Sequence, residues 1–448
     1  MKNLFLFFGI TLFAFFSFKN ISSEGSPLES FVDSLFKESL DSSRIAGGAI
    51  LVAQNGEVLL HKTYGYASIE LSVPMPLDAQ FEIGSVTKQF TAAAILKLVE
   101  AGKLSLDDDF TKYMDYDTKG RTVTIAQLLN HTSGIPGYTE IDEFWPLSIE
   151  QHPRDSLVRL VEGHDFLFEP NEALIYNNSA YFFLGLIIEK VSGKSYEEYL
   201  EEQFFTPLAM HHTHYCSNSE VVKNKVYGYN FTPSGLQQKP YIDHTWPYAA
   251  GSICSSVGDL YIWSEALHNG KVFKNDLYQQ MITPGALNNG AKLSYAMGLV
   301  HYMNYGNREI SHGGGIHGFL SHSCYYPEED LHIICLTNTT GPNGGSYFTE
   351  RVAFELMEKK EYQAVTLDVN PSDLAGIYKG EVRGSELSAE MKAIPEGFTV
   401  QYNGEGPLDT LSLYVGNHTW MDGNTTVIVK DGECRVDEVY GYYILKKE

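Results

Sequence analysis

Apolar positions along the chain change their period more than once, and the changes mark its elements. Residues 47–67 predict a β-hairpin. Gly48 to Ala53 is apolar, Asn55-Gly56 is a type I′ turn signal, and Val58 to Tyr66 returns. Residues 85–100 predict a helix, because Val86, Phe90, Ala94 and Leu98 recur every four residues and Gly102 follows as a stop. From about 110 to 245 the pattern is short helices and long loops. One helix is expected from Thr124 to Asn130, and a buried, almost wholly apolar one from Ala180 to Val191. Another is expected from about Val257 to His268, with Gly270 as its C-cap. Strand signals return after residue 294: YAMGLVHYM, then FLSHSCYY and LHIICLTN around the turn PEED. A helix at about 347–359 closes this block. The order strands, helices, strands, helix predicts one α/β (α+β) unit whose sheet is built from both ends of the segment, with a helical insert. From about 363 short alternating segments are separated by Asn403-Gly404, Asp422-Gly423 and Asp431-Gly432, which predicts a small all-β domain.

Composition narrows the class. The chain of 448 residues has 43% hydrophobic and 20% charged residues, a globular balance with room for more than one domain. Lys+Arg 32 against Asp+Glu 56 gives a net charge of −24, which argues against nucleic-acid backbones and anionic lipid as partners. Five cysteines (Cys216, Cys254, Cys324, Cys335 and Cys434) without a C-x-x-C pair support neither a disulfide scaffold nor a structural zinc site. At the N-terminus, Lys2 precedes an apolar run from Leu4 to Phe18 that Lys19 stops short of a membrane span. Residues 1–24 are therefore expected to be a signal peptide, with an uncleaved anchor as the alternative and the only membrane link. Either way the protein is expected to be exported, periplasmic or secreted, with thiols open to oxidation and one cysteine left unpaired.

The candidate chemistry begins with a nucleophile. No G-x-S-x-G occurs, so an α/β-hydrolase elbow is excluded. S-x-x-K occurs at Ser34–Lys37, in an amphipathic stretch with a solvent face, and at Ser85–Lys88, at the start of the apolar helix. Positions i and i+3 share a helix face, so Ser85 Oγ and Lys88 Nζ can meet beside the positive end of the helix dipole. A lysine acting as a base near pH 7 needs its pKa lowered by about 3 units, or about 4 kcal/mol, which burial supplies. Spacing alone favours an N-capping serine with an exposed lysine. Two further motifs move the balance. Tyr176-Asn177-Asn178 directly precedes the buried helix, and His312-Gly313-Gly314 lies on a strand whose glycines let a substrate backbone approach.

The set S-x-x-K, Y-x-N, H-x-G, in that order, resembles the serine β-lactamase/penicillin-binding family. The nearest branch holds class C β-lactamases, D-alanyl-D-alanine carboxypeptidases, D-aminopeptidases and related esterases. The stretches FEIGSVTKQFTAAAILKLVEAGKLSLDD, TIAQLLNHTSGIPGY and PNEALIYNNSAYFFLGLIIEKVSGKSYEEYL share that texture. The resemblance implies a hydrolase domain over 25–362 and a lipocalin-like or jelly-roll β domain over 363–448. It implies Ser85 as the acylated nucleophile and Lys88 and Tyr176 as the proton carriers. Asn178 would hold Lys88 and the substrate amide, and the N–H groups of Ser85 and Gly315 would form the oxyanion hole. His312 and Gly314 complete the substrate-binding strand. His312 and Gly313 replace the lysine and threonine of K-T-G, which disfavours an efficient β-lactamase, because a β-lactam carboxylate would lose its cation and its hydroxyl. The function expected is hydrolysis of a small-molecule, peptide, amide or ester substrate through an acyl-enzyme. The alternatives are a β-lactamase or a non-catalytic cell-wall or peptide-binding homologue. No cofactor is expected, and the sequence leaves the oligomeric state open. His211, His212 and His214 carry no carboxylate at ligand spacing and are not expected to bind metal. His131 is expected to be structural.

Overall fold

The computed structural model describes residues 26–448 except 275, 361–362, 383–384, 405–407 and 424. The expected signal peptide lies outside the described residues. A seven-stranded antiparallel sheet is ordered Val300–Asn304, Asn307–Ile316, Phe319–Tyr326, Leu331–Thr337, Gly47–Gln54, Glu57–Ser68, Val73–Pro74. The two ends of the segment thus meet at the pairing of Gly47–Gln54 with Leu331–Thr337. The strand Gly47–Gln54 reads as a continuous apolar run because both of its faces are covered. Ala49, Leu51 and Ala53 join the large core beneath the helical insert, whereas Ile50 and Val52 face a second core. The helices Pro27–Asp41 and Gly345–Leu356 cover that second side, with Phe36 stacked on Phe348 at 4.0 Å.

The hairpin and the four main helices fall where the periodicity put them. The apolar helices are Thr87–Glu100, Asn178–Ser192 and Val257–His268, and Gly270 takes the left-handed conformation with φ +70. The short helix Ile125–Leu129 starts from a capping box between Thr124 and Gln127. One strand is shorter than expected. Of YAMGLVHYM only Val300 onward is extended, because Gly298 turns with φ +70 and a Cβ there would lie 2.5 Å from the Lys88 carbonyl oxygen. The chain bends to let the helix Thr87–Glu100 pass.

The C-terminal residues form a separate, nearly closed antiparallel barrel from Gly376–Val382 to Gly441–Lys447, around Trp420, Phe398 and Tyr414. One cysteine expectation is corrected. Cys216 and Cys254 form a disulfide, and three thiols, Cys324, Cys335 and Cys434, remain free and buried. Cys324 faces Ile333 in the sheet, so Cys335 is its diagonal neighbour, beyond disulfide reach at roughly 7–8 Å. Cys434 lies in the barrel core. Among the described residues no helix is long and apolar enough to cross a membrane.

Candidate active site

Ser85 sits in the 3-10 turn Gly84–Val86 that leads into Thr87–Glu100. Gly84 permits this turn. Its φ is +51, and a Cβ there would lie 2.9 Å from the N, C and O of Gly315. One turn further on, Lys88 is 0% exposed. Its Nζ lies 3.1 Å from Ser85 Oγ, 2.9 Å from Asn178 Oδ1 and 2.8 Å from the Ala250 carbonyl oxygen. The last two atoms can only accept. A neutral amine has two N–H groups for them and keeps its lone pair for the Ser85 hydroxyl. Burial lowers the Lys88 pKa well below the ordinary lysine value, opposed only in part by the charge of Glu140.

Asn178 opens the helix Asn178–Ser192, which Asn177 caps by accepting from the Ala180 N–H at 2.8 Å. The Asn178 Nδ2 donates to Thr139 Oγ1 at 3.2 Å, which orients Oδ1 toward Lys88. Tyr176, just before the cap, places its ring centroid 4.8 Å from Lys88 Nζ and borders the same cavity as Ser85. His131 accepts the Asn177 N–H through Nδ1 at 3.1 Å and packs its ring 4.4 Å from that of Tyr176. It shapes the loop, as a structural residue does.

The glycine strand closes the other side. A Cβ on Gly314 would lie 2.1 Å from the Ile83 carbonyl oxygen and 3.0 Å from Ser85 N, so strand and helix tip touch backbone to backbone. Ser321 Oγ donates to the Ile83 carbonyl at 2.7 Å and pins that approach. Pairing with the neighbouring strand ends at Ser311, which leaves the following edge open. Gly313 sends its N–H out of that edge to the Tyr440 hydroxyl at 3.0 Å. The two-residue period of a strand sends the Gly315 N–H the same way, toward the tip that carries the Ser85 N–H. His312 is committed at both ring nitrogens. Nδ1 donates to the Gly313 carbonyl at 2.5 Å, since a carbonyl cannot donate, and Nε2 accepts from the Tyr295 hydroxyl at 2.9 Å. Burial pushes its pKa down to about 3, so it is neutral at pH 7.

Ser85 stands where two cavities meet. One, of about 320 Å³, is bordered by Tyr138, Phe144, Trp145, Ile242 and Ile316. The other, of about 510 Å³, is bordered by Tyr176, Tyr302, His312, Ser346 and Tyr440. Sequence reasoning missed Ala250, Tyr295 and Tyr440. Only Tyr440 left a trace: Val439-Tyr440 is a bulky apolar pair at a hairpin turn, where polar residues are usual. Among the described residues, the atoms of Glu309, His322 and Cys324 come within 4.8 Å of one another. Glu309 already accepts from Tyr302, Asn304 and Tyr326, which makes this group a hydrogen-bonded core cluster. His211, His212 and His214 form no such group among the described residues.

The beta-lactamase family matches residues 32–357. Penicillin-binding protein 4* of Bacillus subtilis (strain 168) is 30% identical over 422 residues, covering 90% of this chain and 86% of that protein. The octameric penicillin-binding protein homologue from Pyrococcus abyssi is similar with a TM-score of 0.65 and 25% identity, over 93% of this chain and 100% of that one. The D-amino acid amidase from Ochrobactrum anthropi SV3 shares the fold with a TM-score of 0.65 at 22% identity, over 74% and 99%. The match takes in the serine–lysine helix, the Tyr176 loop and the glycine strand together, and the chain belongs to the beta-lactamase family of penicillin-binding proteins and related serine hydrolases.

Proposed function

We propose that the protein is an exported serine hydrolase that cleaves amide, peptide or ester bonds through an acyl-enzyme on Ser85. The observation that carries this reading is the buried Lys88 amine, held between two obligate acceptors with Ser85 Oγ at 3.1 Å. In this mechanism Lys88 takes the Ser85 proton as Oγ attacks the substrate carbonyl. The N–H groups of Ser85 and Gly315 receive the oxyanion. Tyr176 and Lys88 pass the proton to the leaving group, and water then releases the acyl group by the reverse relay. The aromatic cavity beside Ser85 favours an apolar or aromatic acyl portion. The D-amino acid amidase with this fold suggests D-amino-acid amides or peptides as the first substrates to try. A neutral His312 and a side-chain-free Gly313 weigh against β-lactams as efficient substrates. Export is supported by the N-terminal apolar run and by the Cys216–Cys254 disulfide, which suits an oxidising compartment.

The test is covalent labelling. A fluorophosphonate should label the wild type, and Ser85→Ala should abolish the label together with turnover of p-nitrophenyl esters and D-amino-acid amides. Labelling that survives Ser85→Ala refutes the reading.

A further inference from the structure

Gly313 poses a question that its own backbone does not answer. It is not among the residues with positive φ, so its conformation does not demand glycine. The space answers it: a Cβ at Gly313 would lie 3.2 Å from the Tyr440 hydroxyl oxygen. That phenol comes from the C-terminal barrel, at the turn between Glu433–Glu438 and Gly441–Lys447. Its position is tied to the site twice. The next two residues, Gly441 and Tyr442, pair with Ile175 and Leu174, which lead directly into Tyr176. The hydroxyl itself accepts the Gly313 N–H at 3.0 Å, and the ring packs 5.5 Å from that of Tyr176 and 5.6 Å from that of His312.

Resting on the reading of Ser85 as nucleophile, we propose that Tyr440 is a substrate-binding residue supplied by the C-terminal barrel, its hydroxyl replacing the side chain that Gly313 lacks and holding the departing half of an uncharged substrate. The phenol accepts from Gly313, and among the described residues no protein acceptor takes its own proton. That proton is directed into the cavity shared with Ser85 and Tyr176. The described residues bordering this cavity include no lysine or arginine, and burial lowers the pKa of both histidines that line it, His312 and His322. A free carboxylate on the leaving group would find hydroxyls but no cation there, and would lose its hydration without compensation. A carbonyl or amide loses less. The preferred leaving groups are therefore neutral and carry a hydrogen-bond acceptor, such as an amino-acid amide. Burial pushes the Tyr440 pKa up to about 12, which keeps the phenol protonated for this role.

The experiment compares three substrates with one acyl group: an acyl–D-Ala amide, the acyl–D-Ala free acid, and a phenyl ester whose leaving group lacks a carbonyl acceptor. The wild type should favour the amide over the free acid at least tenfold in kcat/KM. Tyr440→Phe should lower kcat/KM about tenfold more for the amide than for the phenyl ester, the size of one neutral hydrogen bond. Gly313→Thr alone should lower activity, because its side chain meets the phenol. Gly313→Thr combined with Tyr440→Phe should regain part of the lost selectivity, which a merely structural role for Tyr440 would not predict. Equal losses on amide and phenyl ester, or a preference for the free acid, overturn the proposal while fluorophosphonate labelling of Ser85 still stands. A wild type that is not labelled overturns the Ser85 reading, and this inference with it.

Discussion

Replacing Lys88 by methionine tests whether the buried amine is neutral. Methionine keeps an unbranched chain of similar length and removes the titrating group. In the unfolded chain a lysine holds its proton up to about pH 10.4. In the folded protein burial lowers the Lys88 pKa well below that value. Between the two values the unfolded state binds one proton more than the native state, so stability rises with pH. The slope is about 1.4 kcal/mol per pH unit for one group, so the wild type should gain about 2 kcal/mol on Lys88→Met between pH 7.5 and 9.0. Loss of donors to Asn178 Oδ1 and the Ala250 carbonyl costs the variant about the same at every pH and drops out of the comparison. Three nearby groups do not titrate in this window: His312 is held near 3, Tyr440 near 12, and Tyr295 well above its ordinary value by burial. Urea titrations of both proteins at the two pH values, followed by tryptophan fluorescence, give the difference directly. A gap between the proteins that stays constant within about 0.5 kcal/mol would mean that Lys88 is charged in the folded state, and the general-base role would fall with it.

Asn178→Asp should place a carboxylate where Oδ1 now sits, 2.9 Å from Lys88 Nζ, and so favour the ammonium. The acid limb of the pH–kcat/KM profile should move to higher pH, measured on a p-nitrophenyl ester. Gly84→Ala forces a Cβ into the Gly315 backbone at 2.9 Å from a residue at φ +51, a strain of about 1–3 kcal/mol. It should lower kcat at least tenfold by parting the Ser85 and Gly315 N–H groups, read by single-turnover acylation. Cys216→Ser opens a disulfide spanning 38 residues, for which chain entropy gives a loss of about 4 kcal/mol, read as a lowered Tm by calorimetry. Because Cys254 lies four residues after Ala250, that variant should also weaken the Lys88 contact and lower kcat.

The parts of the site that were legible in the chain are the local ones. Ser85 and Lys88 lie three residues apart, so a helix brings them together whatever else the protein does. Asn177 and Asn178 announce themselves by directly preceding an apolar helix that needs a cap. The sheet was legible because its central strands are continuous apolar runs between turn signals. The stretch from Tyr295 to Gly298 has the pattern of a strand but turns instead, because alternation cannot show that a helix must cross there.

Sequence by itself determined the class of chemistry: a hydroxyl and an amine one turn apart on an apolar helix, with a phenol and a run of glycines farther along. Tertiary structure alone decided the protonation and the shape. The Ala250 carbonyl that receives a Lys88 N–H has no side-chain signature and lies 162 residues away. The Tyr440 phenol that fills the space above Gly313 comes from another domain, 127 residues on. The reason is physical: a pKa and a cavity depend on every atom that excludes water from a point in space, whereas periodicity records only neighbours along the chain.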